Sequence, residues 1–454
     1  MDIVDPLYGR MRFRGFIGEL LFAPEVQRLR EVRLANIDLV QFPGFAEISR
    51  FQHSAGVAYL AGEAASAMGL SRADTLNLQA AALYHDVASP PFGHAMEEVL
   101  KEHFGYDHEA ETVRLIKGSA GGKGGSPPDE KGADPFCGEA VFAGQPSAIG
   151  RLARRRRFAR QGAACERIAE LAGGQGPLGP LIKGTMDLDN IDNVYRAAMA
   201  MGITREVEVP AALARSFRLV GGRVGLSETA AKLVRHWQRT RKAVYGALLA
   251  DAYDFSLQGM LKHALELAVA PTDGYAPLIR QWHWKLTDVD LRTLLSQRRA
   301  TRRILDRMRL GRVYPVIGFY RVEEPASLEE AVHVLAGVAE QAAAEAMGLS
   351  LYTHLWNDRR FRRIDLPVVR EFPIDLVHAA PGSRPVSTAV VLGVLSAGRQ
   401  AVTPAERRRV RGIYEAAFGR ALPEQSLPIE TPAPEEQQLG FTFFASHAGR
   451  DPAV

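Results

Sequence analysis

Residues 83–94 read Leu-Tyr-His-Asp-Val-Ala-Ser-Pro-Pro-Phe-Gly-His, and the adjacent pair His85-Asp86 closes an apolar helical run, Ala80-Ala81-Ala82-Leu83. Neighbouring side chains on a helix point about 100° apart. Both therefore reach one ion only if it sits beside that terminal turn. Two residues do not complete a divalent site, so further ligands have to come from distant parts of the chain. Histidine is unevenly spread: of twelve, five (His53, His85, His94, His103, His108) fall on successive short helical stretches. A lone histidine on an apolar helix is more often structural than a ligand. Five together, one beside an aspartate, point to a metal site.

The surrounding pattern is helical. Asp5-Pro6-Leu7-Tyr8-Gly9 is a turn, and Pro24 to Arg33 has Val26, Leu29 and Val32 at helical spacing. Its arginines form a solvated face, or one of Arg28, Arg30 and Arg33 points into a phosphate site. Phe42-Pro43-Gly44 breaks the chain, and Ser49 opens a helix whose apolar face is Val57, Leu60, Ala61, Ala64 and Ala65. Asp74–His85 is the next helix, ended by Ser89-Pro90-Pro91. Phe92–Phe104 follows, stopped by Gly105, and Asp107 starts another. Residues 118–146 are rich in Gly, Ser, Pro, Lys and Asp without periodicity and read as a mobile surface insertion. Arg154-Arg155-Arg156-Arg157 is a solvated basic face or a nucleic-acid or partner contact. Helices are expected again at 166–172, 178–201 (with Asp187-Leu188-Asp189), 227–269 and 270–310, the last with Trp282 and Trp284 in the core. Beyond Gly311 the pattern shifts to strands at 313–320, 363–372 and 386–394 and one helix at 327–346. The expected class is mainly α: a helical core over 1–310, a smaller α+β appendage over 311–422 and an extended tail over 423–454.

At 454 residues with 46% hydrophobic and 24% charged residues, the composition is that of a soluble globular protein. Two cysteines give neither a disulfide framework nor a zinc spacing. With no basic-then-apolar N-terminus and no eighteen-residue apolar run, the expectation is a cytoplasmic protein without a membrane span. A net charge of +4 favours phosphate ligands only weakly.

His53, then His85-Asp86, then an aspartate about a hundred residues on resembles the HD-domain phosphohydrolase pattern. The likeness is nearest the dNTP triphosphohydrolase branch, which includes dGTPase-like enzymes and the sterile-alpha-motif/HD protein. Asp5-Pro6-Leu7-Tyr8-Gly9, Gln27-Arg28-Leu29-Arg30, Phe42-Pro43-Gly44, Ser49-Arg50-Phe51-Gln52-His53-Ser54-Ala55-Gly56-Val57 and Asp187-Leu188-Asp189 resemble that branch in the same order. The likeness covers roughly residues 1–310. It implies an HD-domain helical core, His53, His85, Asp86 and Asp189 as metal ligands, and a divalent ion (Mn, Mg, Fe, Co or Ni). Such an ion polarises a phosphoryl oxygen and makes hydroxide available near neutral pH. His108, one turn from Glu111, is the implied acid or base, and Arg50 would offset charge on phosphate. Arg30 and Lys183 are further phosphate candidates, and Arg241 and Tyr245 match a region that holds triphosphate and sugar. Asp187 and Asp192 read as structural or capping groups. A homo-oligomer is also implied.

The departures fall around the pocket. The family's x-Gly-His after His-Asp is replaced by Val87-Ala88-Ser89, with His94 following. Asn190, Asn193 and Ala197 stand where the branch tends to carry basic, aromatic and acidic groups, and Leu34 stands in place of a sugar-reading Gln. On this reading Ser89→His would raise triphosphohydrolase activity. The expected function is metal-dependent phosphohydrolysis of nucleotides, most closely of the dNTP triphosphohydrolase kind. A nucleotide monophosphatase, a metal-retaining module that binds nucleotide or nucleic acid without efficient turnover, and an assembly component are the alternatives.

Overall fold

The helix opened by Ser49 forms for a local reason. The Ser49 side chain accepts the Gln52 N–H while the Gln52 side chain accepts the Ser49 N–H at 3.0 Å, a reciprocal cap that fixes the start of α1, Arg50–Ala67. In the computed structural model the described residues are 1–35, 39–118, 147–249, 251–270, 284–325, 329–357, 366–369, 374–377, 387–398 and 402–424. Most of the expected insertion at 118–146, Trp282 and nearly all of the tail from 423 lie outside them. The α1 sequence is small and apolar on several sides, and Ala55, Ala58, Ala61, Ala64 and Ala65 are buried, as a helix enclosed by others requires.

Around α1 pack α2 (Arg72–Tyr84), with its Asp74 N–H held by Ser71, and α5 (Leu188–Ala200), capped by Asp187. Between them in sequence come α3 (His94–Phe104) and α4 (His108–Lys117). Gly105 ends α3 at φ +64°, a left-handed position that suits a residue without Cβ. The expected 227–269 stretch divides into α6 (Ala231–Leu249) and α7 (Ala252–Val269), the latter capped by Asp251. Arg299–Arg309 forms α8. Trp284 is buried. No helix among the described residues is long and apolar enough to cross a membrane.

The fold is mainly α with small sheets, and several strands escape the sequence pattern. The expected N-terminal turn joins a hairpin, β1 (Asp2–Asp5) and β2 (Gly9–Arg12), in which Asp5 accepts the N–H groups of Leu7 and Tyr8. A second hairpin, β3 (Phe217–Val220) and β4 (Arg223–Ser227), pairs in parallel with β7 (Leu366–Val369), which pairs with β8 (Ile374–Val377). The C-terminal region therefore adds strands to a sheet begun before residue 310. Its own sheet has the order β5-β9-β6, with β5 at Val316–Pro325, β6 at Leu351–Asn357 and β9 (Ser387–Ser396) in the centre. Along β9, Val390, Leu392 and Val394 face α9 (Glu329–Met347) and α10 (Pro404–Phe418). Val391 and Leu395 face Phe255, Met260 and Ala264 of α7. This alternation makes the sheet the filling of a helix–sheet–helix stack.

Two glycines set how closely that stack closes. A Cβ on Gly393 would lie 2.2 Å from the Phe255 ring, and one on Gly259 would lie 2.5 Å from Leu395 Cδ1 and 3.2 Å from His354 Cβ.

Candidate active site

The His85-Asp86 pair sits just past the end of α2, where the chain leaves the helix. His85 Nδ1 pairs with the Ala82 carbonyl at 2.8 Å, which turns Nε2 inward. His53, one turn into α1, is turned the same way because its Nδ1 pairs with Asp192 Oδ2 at 2.7 Å. The two rings meet edge to face with centroids 5.1 Å apart. One ligand atom from each of His53, His85 and Asp86 lies within 4.8 Å of the others. Asp189, at the start of α5, comes to the same place: its Oδ1 is 3.0 Å from His53 Nε2 and 3.7 Å from His85 Nε2.

The donor set fits a divalent cation. His85 Nε2 is buried and has no hydrogen-bond partner, which is costly unless something coordinates it. Imidazole with carboxylate suits Mn, Fe, Co, Ni or Mg. Burial works against protonation of His53, but Asp189 and Asp192 outweigh it and raise its pKa to about 9. Burial likewise disfavours the charged form of Asp86, yet Arg50, His85 and His108 hold its pKa well below the usual carboxylate range.

Behind the ligands stands a buried charge chain that the sequence did not announce. Arg196 Nε and Nη2 donate to Asp192 at 2.8 and 2.9 Å, and Arg196 Nη1 donates to Asp5 at 2.8 Å. Gly56 makes room for it: a Cβ there would fall 2.1 Å from Asp192 Oδ1. Asp192 is thus structural, as expected, but what it structures is the tautomer of His53. A signal was present in the i,i+4 spacing of Asp192 and Arg196.

The other expected residues divide. Arg50 is buried and ion-paired with Asp86, so its guanidinium braces a ligand. His108 Nε2 lies 3.6 Å from Asp86 Oδ1. The partner of its Nδ1 is Glu97 on α3, which also accepts from His94 at 3.1 Å. Glu111 pairs instead with Arg114 and does not line the cavity; the carboxylate that reaches His108 is Glu97. Burial lowers the His108 pKa, but Asp86 and Glu97 together raise it to about 9.

Arg30 is exposed, bonds to Gln27 and does not line the cavity. Arg28 is buried and donates to the carbonyls of Val87, Ser89 and Leu286, which clamps the loop after His85-Asp86. Ser89 is buried in that loop and also does not line the cavity. The same loop holds Phe92 at φ +56°, with its N–H bound by Asp288 at 2.8 Å. Arg155 and Arg157 are ion-paired with Glu19, so part of the Arg154–Arg157 run is neutralised on the protein itself.

A cavity of about 480 Å³ opens above the ligands. Lys183, Asn190, Asn193, Arg241, Tyr245 and His94 line it, as do Leu34 and Ala197. Lys183 pairs with Glu109, and Arg241 lies over the Tyr245 ring at 4.5 Å. Gln258 of α7 and Trp356 of β6 also reach this wall, and nothing in the sequence pattern singled them out.

Residues 50–173, which hold His53, His85, Asp86 and His108, match the family model of the HD domain. The chain carries an HD domain. The HD region is 31% identical over 126 residues to the deoxynucleoside triphosphate triphosphohydrolase SAMHD1 of Homo sapiens, covering 25% of this chain and 20% of that one. It is also 42% identical over 72 residues to a deoxyguanosinetriphosphate triphosphohydrolase-like protein of Bradyrhizobium, covering 15% of this chain and 18% of that one. The chain thus spans about a fifth of the length of these relatives. Among solved structures, a phosphohydrolase of Bacteroides thetaiotaomicron superposes with a TM-score of 0.61 at 17% identity, over 88% of this chain and 100% of that one. A hypothetical protein from Aquifex aeolicus does so at 0.62 and 17%, over 92% and 99%. The fold over most of the chain is shared with both.

Proposed function

We propose that the HD domain is the centre of a divalent-metal-dependent phosphohydrolase acting on nucleotides, with a dNTP triphosphohydrolase-like reaction. One observation carries this. Two imidazole Nε2 atoms and the Asp86 carboxylate converge within 4.8 Å at the base of a cavity walled by Lys183 and Arg241. His53, His85, Asp86 and Asp189 would hold the cation, which when bound polarises a phosphoryl oxygen and lowers the pKa of water. Arg50 keeps Asp86 ionised and aimed. His108, gripped by Glu97, presents Nε2 beside Asp86 and holds the proton that a leaving oxygen needs. Arg241 and Lys183 orient the phosphate chain, and Tyr245, Asn190 and Asn193 complete the wall. The known activities of the relatives, though partial in coverage, support the nucleotide assignment.

A monophosphatase is the second reading, because Lys183 and Arg50 are already paired with Glu109 and Asp86, leaving less positive charge for a triphosphate. The test is incubation of purified protein with Mn²⁺ and each of the four dNTPs and dNMPs, then separation of triphosphate from orthophosphate by ion exchange. Triphosphate released from a dNTP supports the leading reading, and orthophosphate released from a dNMP supports the second. No product from any nucleotide or nucleoside monophosphate with metal loaded would refute both.

A further inference from the structure

The cavity wall away from the cation-holding residues has an unexplained composition. Trp356 arrives from the C-terminal sheet, which the HD-domain match does not reach. Strand alternation puts Tyr352, His354 and Trp356 on the face of β6 that packs against α7. There the Tyr352 ring stacks on His263 with centroids 4.7 Å apart, and His354 packs on Phe255 at 4.8 Å. Gly259 and Gly393 let the strand lie close enough for the third residue of this row to reach the cavity. The Trp356 ring has no aromatic or cationic partner among the described residues, although it is only half-buried. Gln258 lines the same cavity, and its amide makes no hydrogen bond among the described residues. An indole face and an amide that both line one cavity, each without a partner among the described residues, are the complement of a flat heterocycle with a hydrogen-bonding edge.

We propose that Trp356 stacks on the nucleobase of the substrate and that Gln258 reads its edge, so that base selectivity is set by the C-terminal sheet and α7. The proposal rests on the nucleotide-hydrolase reading and names the part of the substrate that reading leaves open. A primary amide offers one donor and one acceptor side by side. A carboxylate at the same place accepts only, and it pairs with the two adjacent donors on the Watson–Crick edge of guanine.

The experiment compares kcat/KM for each dNTP with that for 1,2-dideoxyribose 5′-triphosphate, which has sugar and phosphates but no base. Wild type, Trp356→Ala, Trp356→Phe and Gln258→Glu are assayed with Mn²⁺. Stacking of one base corresponds to a roughly 5- to 150-fold fall in the dNTP-to-baseless ratio for Trp356→Ala. Trp356→Phe should fall between it and wild type, and Gln258→Glu should shift preference towards dGTP. Equal losses on the dNTPs and the baseless compound would assign Trp356 a merely structural role and overturn the proposal. So would an unchanged order of preference in Gln258→Glu. Quenching of tryptophan fluorescence by a non-hydrolysable dNTP analogue separates the two layers. If wild type turns nothing over but is quenched, and Trp356→Phe is not, the hydrolase reading fails and the base site stands. Quenching that persists undiminished in Trp356→Phe would remove the base site.

Discussion

Asp192→Asn is the sharpest probe of how the site is held. Asp192 is fully buried and accepts from Arg196 at 2.8 and 2.9 Å and from His53 Nδ1 at 2.7 Å. Asparagine keeps the shape but has one acceptor oxygen and one NH₂ group. Asp192 Oδ2 accepts from both His53 Nδ1 and Arg196 Nε, and Oδ1 from Arg196 Nη2, so whichever way the amide turns its NH₂ faces an Arg196 donor. Breaking a buried ion pair costs roughly 3–5 kcal/mol. Because Asp5 still holds Arg196 at 2.8 Å, the lower end applies, so urea unfolding should report a loss of about 3 kcal/mol. The neutral amide is at best a weaker acceptor for His53 Nδ1 than the carboxylate, so the tautomer that presents Nε2 is less favoured, and weakening such a partner lowers metal affinity by up to roughly 10- to 100-fold. Calorimetric titration with Mn²⁺ at pH 7.5 measures that. Stability within about 0.5 kcal/mol of wild type, together with unchanged Mn²⁺ affinity, would refute the reasoning.

Asp86→Ala removes a ligand and strands the buried Arg50 guanidinium. Neither bound metal by elemental analysis nor turnover should remain, and persistent turnover would remove Asp86 from the site. Gly56→Ala leaves every charge in place but puts a Cβ 2.1 Å from Asp192 Oδ1, so it should reproduce the weakened Mn²⁺ binding of Asp192→Asn in the same calorimetric titration. Ser89→His, which the family pattern alone would expect to raise activity, should instead cost roughly 1–3 kcal/mol in urea unfolding with no gain in turnover, since Ser89 is buried outside the cavity. His354 is held neutral by burial, with Lys262 adding to the effect, and its pKa falls to about 3. The unfolded chain takes up that proton below about pH 6.5 and the folded one does not, so stability drops as pH falls through that value, by up to about 1.4 kcal/mol per unit. Unfolding of His354→Leu at pH 7.5, 6 and 5 should show a shallower decline than wild type.

The candidate metal cluster was legible partly from local signals, with Asp189 reached only through the resemblance to the HD-domain pattern. An apolar run ends at His85, Ser49 caps the helix that carries His53, and Asp187 caps the helix that carries Asp189. What stayed hidden is what tertiary contact decides. Glu111 sits one turn from His108 and looked like its partner, but α3 packs back so that Glu97, eleven residues earlier, reaches the imidazole first. The run Leu351-Tyr352-Thr353-His354-Leu355-Trp356 gave no strand signal because β6 is covered on both faces, which removes the alternation of apolar and polar residues. The Asp5 and Arg196 pair joins residues far apart in sequence, and no periodicity reports such a pair.

The position of β9 between β5 and β6 has a consequence for the order in which the protein becomes competent during synthesis. Every residue proposed to grip the cation, together with the Arg196 brace, has been synthesised by the two-hundredth residue. The strand bearing Trp356 has no strand to pair with until Ser387–Ser396 has followed. A nascent chain therefore contains the proposed cation site about two hundred residues before it contains the wall proposed to tell one base from another.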